Sequence, residues 1–148
     1  MESGSNLDFG DYTSSSLVTK AWQALAQKDV DAVNAYVNKT VELYSKEAKT
    51  MQESLKEYPW ESKDKIFSYW ALNDVGTALY IQGEVYKNTG KNKEALEAYQ
   101  KLVKEYFYAQ CWDPNGWFWK PAEAAQDAID NLSEDNLSKD KDNTSGKI

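Results

Sequence analysis

Apolar residues recur along the chain at steps of three and four, not two, so the elements this pattern predicts are helices. Leu17, Ala21, Ala24 and Leu25 mark a first short helix through about Gln27, with Ser16 as its cap and Asp29 capping the next. From Val30 to about Glu57 there is neither Gly nor Pro. Val33, Val37, Val41, Tyr44, Ala48, Met51 and Leu55 repeat there at nearly the helical period, which predicts one long amphipathic helix ended by Tyr58-Pro59. A second long helix is predicted from Ser62, as cap, to about Asn88. Its apolar side chains, from Ile66, Phe67 and Trp70 through Val75 and Leu79 to Tyr86, spread around most of the circumference, so it should be covered on two sides.

Gly90 stands where a helix end needs a left-handed residue, and Lys93 to Tyr108 then carries Ala95, Leu96, Tyr99, Leu102, Val103 and Tyr106 on one face. A tight helical hairpin is the expectation. Asp113-Pro114-Asn115-Gly116 is a turn sequence, with Pro second and Gly fourth, and Pro121 suits the first turn of a last helix ending near Leu132. The flanks differ in composition. Residues 1–15 read as an extended arm anchored by Leu7, Phe9 and Tyr12, and residues 133–148 as a polar, solvated tail. The expected fold is all-α: about five helices, two of them long, over residues 16–132.

Leu79, Gly83, Tyr86, Gly90, Ala95 and Tyr99 follow one another at the spacing of a large apolar residue, a Gly, a Tyr, a turn Gly, a small residue and an aromatic. Residues 76 to about 109 thereby resemble a tetratricopeptide repeat, the helix-turn-helix unit of about 34 residues. The resemblance has a physical basis, since Gly83 and Ala95 would let two helices approach while Tyr86 and Tyr99 fill the space around them. It departs from the repeat at Phe107, where a Pro is usual, and at Leu102, where a smaller residue is commoner. Residues 17 to 50 echo the unit loosely through Ala32 and Tyr36, as a degenerate, elongated repeat. The strings at 69–76, 109–114 and 116–120 resemble those of small bacterial repeat-like proteins. Such a resemblance implies stacked helical pairs that hold peptides or other proteins without chemistry of their own. About three units are usually needed to close a solenoid. One good unit, one poor unit and a last helix imply that the open ends are covered, either by the aromatic C-terminal segment or by another copy of the chain.

Composition narrows the functions. The 148 residues supply one domain, and seven Gly and three Pro are too few for the frequent turns of a β-sandwich. With no His, hydrolytic triads and zinc sites lose their commonest member. A net charge of -7 opposes nucleic acid and anionic lipid, and no apolar run is long enough for membrane insertion. Cys111, the one cysteine, has no intrachain disulfide partner and is expected to be an inert buried thiol. The polar start suits a cytoplasmic chain and, slightly better, an exported chain freed of its signal; location stays open.

Trp112, Trp117, Phe118 and Trp119 form the densest cluster. They can pack in the core, anchor an interface or stack on a sugar. Asp74 and Glu84 share a helix but stand about 15 Å apart, too far for a paired-carboxylate mechanism, and Asn73 and Asp74 should bond Trp or Tyr donors or face solvent. Asn38, Asn131, Asn136 and Asn143 each begin an Asn-Xaa-Ser/Thr acceptor sequence for glycosylation. No nucleophile and base can be paired, and no cofactor or metal is implied. The expected function is therefore non-enzymatic: a protein-interaction or structural module that self-associates end to end into an oligomer or filament, using Leu7, Phe9, Tyr12 and the Trp cluster. The alternatives are a monomeric adaptor for a partner peptide, and a glycan-binding module built on Trp112, Trp117 and Trp119.

Overall fold

The computed structural model describes residues 7–145, with side chains through residue 133. Helices α1 (Ser14–Ala26), α2 (Val30–Glu53), α3 (Lys63–Phe67), α4 (Trp70–Asn88) and α5 (Asn92–Glu105) precede a β-hairpin, β1 (Cys111–Asp113) and β2 (Trp117–Trp119), and α6 (Pro121–Ser145) follows. The all-α expectation holds apart from that short hairpin. Helix α4 is the centre: it touches α1, α2, α5 and α6, and Leu72, Val75, Ala78, Ile81 and Val85 are fully buried along it. The apolar circumference seen in the sequence thus reports a helix covered on more than one side.

Local chemistry sets most boundaries. Asp29 caps α2 by accepting from the Ala32 amide at 3.0 Å, and Ser62 caps α3 by accepting from Lys65 at 3.1 Å. The first helix starts three residues earlier than predicted, because the hydroxyl of Thr13, not Ser16, is its cap, accepting from the Ser16 amide at 3.2 Å. At the α4–α5 turn, Gly90 has φ +80, the Lys91 amide donates to the Tyr86 carbonyl at 2.8 Å and the Gly90 amide to Lys87 at 3.2 Å. These two bonds make a Schellman end, which requires the left-handed residue that Gly supplies. Helix α1 ends with the same two bonds, from Asp29 to Ala24 and from Lys28 to Leu25, but there Lys28 takes the left-handed position at φ +55.

Three expectations change. The long helix predicted from Ser62 to Asn88 is broken at Ser68–Tyr69. In a continuous helix the Ile66 carbonyl would accept from the Trp70 amide; it instead accepts from the Tyr69 amide at 3.2 Å and from the Asn73 side-chain amide at 2.9 Å. Asn73 is buried, and its other end accepts from the Gln110 amide at 2.9 Å, so it meets backbone groups and neither Trp, Tyr nor solvent. The helix predicted to Glu57 ends at Glu53; the segment after it is held by Tyr108, whose hydroxyl donates to the Lys56 carbonyl, and by Gln110, whose side-chain amide donates to the Pro59 carbonyl. Last, α6 runs to Ser145 where a polar tail was expected from 133. No Gly or Pro interrupts residues 122–145, and polarity alone does not stop a helix.

Candidate functional site

The hairpin organises the aromatic cluster. Its register pairs Cys111 with Trp119, Trp112 with Phe118 and Asp113 with Trp117, so consecutive side chains alternate between its two faces. Pro114, Asn115 and Gly116 close it: the Gly116 amide donates to the Asp113 carbonyl at 2.9 Å, Gly116 has φ +110, and the Asn115 amide donates to the Asp113 carboxylate at 2.8 Å. A cluster that is contiguous in sequence is thereby split in two.

On one face Trp112 and Phe118 meet edge to face at 4.9 Å. Phe67, at the end of α3, reaches them at 6.1 and 5.2 Å, and the Lys63 ammonium lies 4.0 Å from the centre of the Trp112 ring. Trp70 begins α4 three residues beyond Phe67 and packs edge-on to Tyr44 at 5.6 Å, while the Tyr44 hydroxyl donates to the Tyr12 carbonyl at 2.6 Å. Two aromatic groups therefore flank the α3–α4 break, one with the hairpin and one with Tyr44 of α2. Phe67 is 43% exposed and Trp70 40%, and Trp60, in the preceding loop, is 71% exposed.

On the other face Trp119 leans on Trp22 of α1 and Tyr80 of α4, with ring centres at 6.3 and 5.2 Å, and Trp117 beside it is 52% exposed. These rings, with Glu84 and Asp113, line a cleft of about 410 Å³. Glu84 accepts from the buried Tyr99 hydroxyl and pairs with the Lys87 ammonium at 3.1 Å. Burial, followed by the Glu84 carboxylate, pushes the Tyr80 hydroxyl up to about 12, so this phenol stays protonated near neutrality.

The arm residues named from sequence rest on their own chain. Leu7 and Phe9 are partly buried against the core, the Phe9 ring meets Tyr36 edge-on at 5.6 Å, and Tyr12 stacks on Phe9 at 5.6 Å. The repeat-packing residues sit at the α4–α5 contact: Leu79, Ala95 and Tyr99 are buried, and a Cβ on Gly83 would lie 2.3 Å from the Tyr99 ring. Tyr86, half-buried, points the other way, its hydroxyl accepting from Asn34, which in turn accepts from Gln82.

Asp74 lies largely buried on α4, where burial raises its carboxyl above the usual range against the lowering effect of the Ser14 hydroxyl, which donates to it at 2.5 Å. It is ten residues from Glu84 on the same helix, and the two face different partners. Burial likewise pushes the Cys111 thiol up, away from thiolate character. Among the described residues no group of three or more Cys, Asp or Glu could hold a metal, and no helix is long and apolar enough to cross a membrane. The acceptor sequences fall on helices. Asn38 is exposed on α2, but the Thr40 hydroxyl two residues on is buried and donates to the Tyr36 carbonyl at 2.7 Å. Asn131 is exposed on α6, and the side chains of Asn136 and Asn143 lie outside the described residues.

Trp22, Tyr80 and Phe67 belong to these sites and were not read from the sequence as part of them. Their signal was present only as large aromatics beside the main apolar stripes of their helices, with nothing local to say where they point. No protein-family model, curated protein or solved structure matches the chain.

Proposed function

We propose that the chain is a non-catalytic protein-interaction module of tetratricopeptide-like helical hairpins that associates with copies of itself end to end. One observation carries this reading: the hairpin displays aromatic side chains on both of its faces, and the two displays are unlike. The Trp112/Phe118 face packs on the exposed Phe67, with the exposed Trp70 across the α3–α4 break, while the Trp117/Trp119 face opens on an acid-bearing cleft. Exposed aromatic side chains on both faces suit a contact surface. Two unlike surfaces on one chain suit a heterologous contact, which repeats from copy to copy, better than a two-fold one, which needs a single self-complementary patch.

The arm's packing on its own chain shifts the weight of the contact from Leu7 and Phe9 to the hairpin and the α3–α4 junction. Sedimentation velocity of the full chain over a wide concentration range tests the reading. The expected result is mass that grows with concentration, and a return to monomer in the double variant Phe67→Ser/Trp70→Ser with an unchanged circular dichroism spectrum. A wild-type chain that stays monomeric at high micromolar concentration overturns it.

A further inference from the structure

The cleft on the Trp117 side of the hairpin differs in one respect from four other aromatic sites among the described residues. Elsewhere the chain supplies its own cation: Lys63 lies 4.0 Å from the Trp112 ring centre, Lys120 4.3 Å from Tyr58, Lys65 5.6 Å from Tyr69 and Lys39 5.9 Å from Phe9. No lysine stands over Trp22, Tyr80, Trp117 or Trp119 among the described residues, and the cleft lining holds two carboxylates, Glu84 and Asp113, and no basic side chain. The faces of these rings carry negative potential, strongest for indole, and the carboxylates add to it.

Ring geometry narrows the occupant. Trp22 and Trp119 are inclined by 62°, Tyr80 and Trp119 by 67°, and Trp22 and Tyr80 by 56°, so these three rings stand as angled walls. A compact cation needs ring faces turned toward it, since ring edges carry positive potential, with an acid nearby. Glu84 is held in place by the Tyr99 hydroxyl, and although Lys87 offsets part of its charge, Asp113 supplies a second carboxylate whose position is fixed by the Asn115 amide.

We propose that this cleft binds a lysine side chain of a protein partner, its ammonium group enclosed by Trp22, Tyr80, Trp117 and Trp119 and faced by Glu84 and Asp113. The proposal rests on the protein-interaction reading above and names the chemistry that one of its two surfaces recognises. A volume of about 410 Å³ leaves room for the aliphatic stem as well as the charged head, and the stem would lie along the exposed Trp117 ring.

The test is a titration of the full chain, labelled for indole N–H resonances, with Nα-acetyl-lysine methylamide and with tetramethylammonium chloride at fixed ionic strength. Uncharged tert-butanol and cellobiose serve as controls. Saturable shifts of the Trp22, Trp117 and Trp119 signals with both cations, absent with tert-butanol, are expected. Trp117→Ala and Asp113→Asn should each weaken binding about fivefold or more, with the indole signals of Trp112 and Trp60 unmoved to show that the fold persists. Equal response to tert-butanol, no saturable response to either cation, or tighter binding of cellobiose overturns the proposal; the last result would give the cleft to a glycan. Self-association that persists without any cation response sinks this inference alone, whereas cation binding by a chain that never leaves the monomer sinks the end-to-end reading and leaves the cleft standing.

Discussion

Replacing Gly83 by Ala tests whether the α4–α5 contact is as close as the structure places it. A Cβ at position 83 would lie 2.3, 2.5 and 2.7 Å from three atoms of the Tyr99 ring, all far inside ordinary contact. Tyr99 has no room to withdraw: it is fully buried, and its hydroxyl donates to Glu84. Helix α5 must therefore move outward by about 1 Å or the ring must leave its rotamer, and overpacking of this kind costs about 1–3 kcal/mol and occasionally more. Working against this, Ala is a better helix former than Gly by about 1 kcal/mol, the whole effect if position 83 faced open space. With three ring atoms overlapped at once, the cost lies at the upper end, and a net loss of about 2 kcal/mol is expected.

For a chain of this length that loss corresponds to a fall in Tm of roughly 4–8 °C, well within reach of thermal unfolding followed by circular dichroism. A double-variant cycle makes the test specific. Tyr99→Leu is itself destabilising, but it removes the ring atoms that the new methyl would strike, so Gly83→Ala should cost much less, or even stabilise, in the Leu background. An equal penalty in both backgrounds would place the strain elsewhere. A Gly83→Ala variant as stable as the parent would refute the close approach itself.

Two further outcomes follow from local chemistry. Asp74 is a carboxyl whose folded pKa is raised by burial above its ordinary 3.8, so the folded state holds its proton more tightly than the unfolded one does. Its stabilising effect is fully present below the unfolded value and is lost as pH rises through the folded one; Asp74→Asn, which keeps an acceptor for Ser14, should therefore stabilise the protein at neutral pH, with the gain shrinking as denaturant melts are taken toward pH 4. Lys28 ends α1 in the left-handed conformation at φ +55, so Lys28→Gly should raise stability by about 1 kcal/mol in chemical denaturation, and an unchanged or lower midpoint would contradict that backbone geometry.

The local sequence determined what local forces decide. Asp29 and Ser62 as caps, Gly90 as a left-handed helix end, the Asp113–Gly116 turn and the buried stripes of α2 and α5 depend on residues within a turn or two of each other, and each stands where its spacing put it. The length of α6 was legible too, in the absence of Gly and Pro from 122 to 145, but polarity obscured it. Tertiary structure decided the rest. The α3–α4 break depends on Asn73, which takes the Ile66 carbonyl while accepting from Gln110, a partner 37 residues away. Strands of three residues carry no periodicity to detect, so the division of the Trp cluster between two faces exists only once Cys111–Asp113 pairs with Trp117–Trp119. The cleft needs Trp22 from α1 and Tyr80 from α4 as well, side chains that meet because three separate elements pack there. Periodicity states which side of a helix is apolar, but which partner that side meets is settled by the energy of the whole packed core.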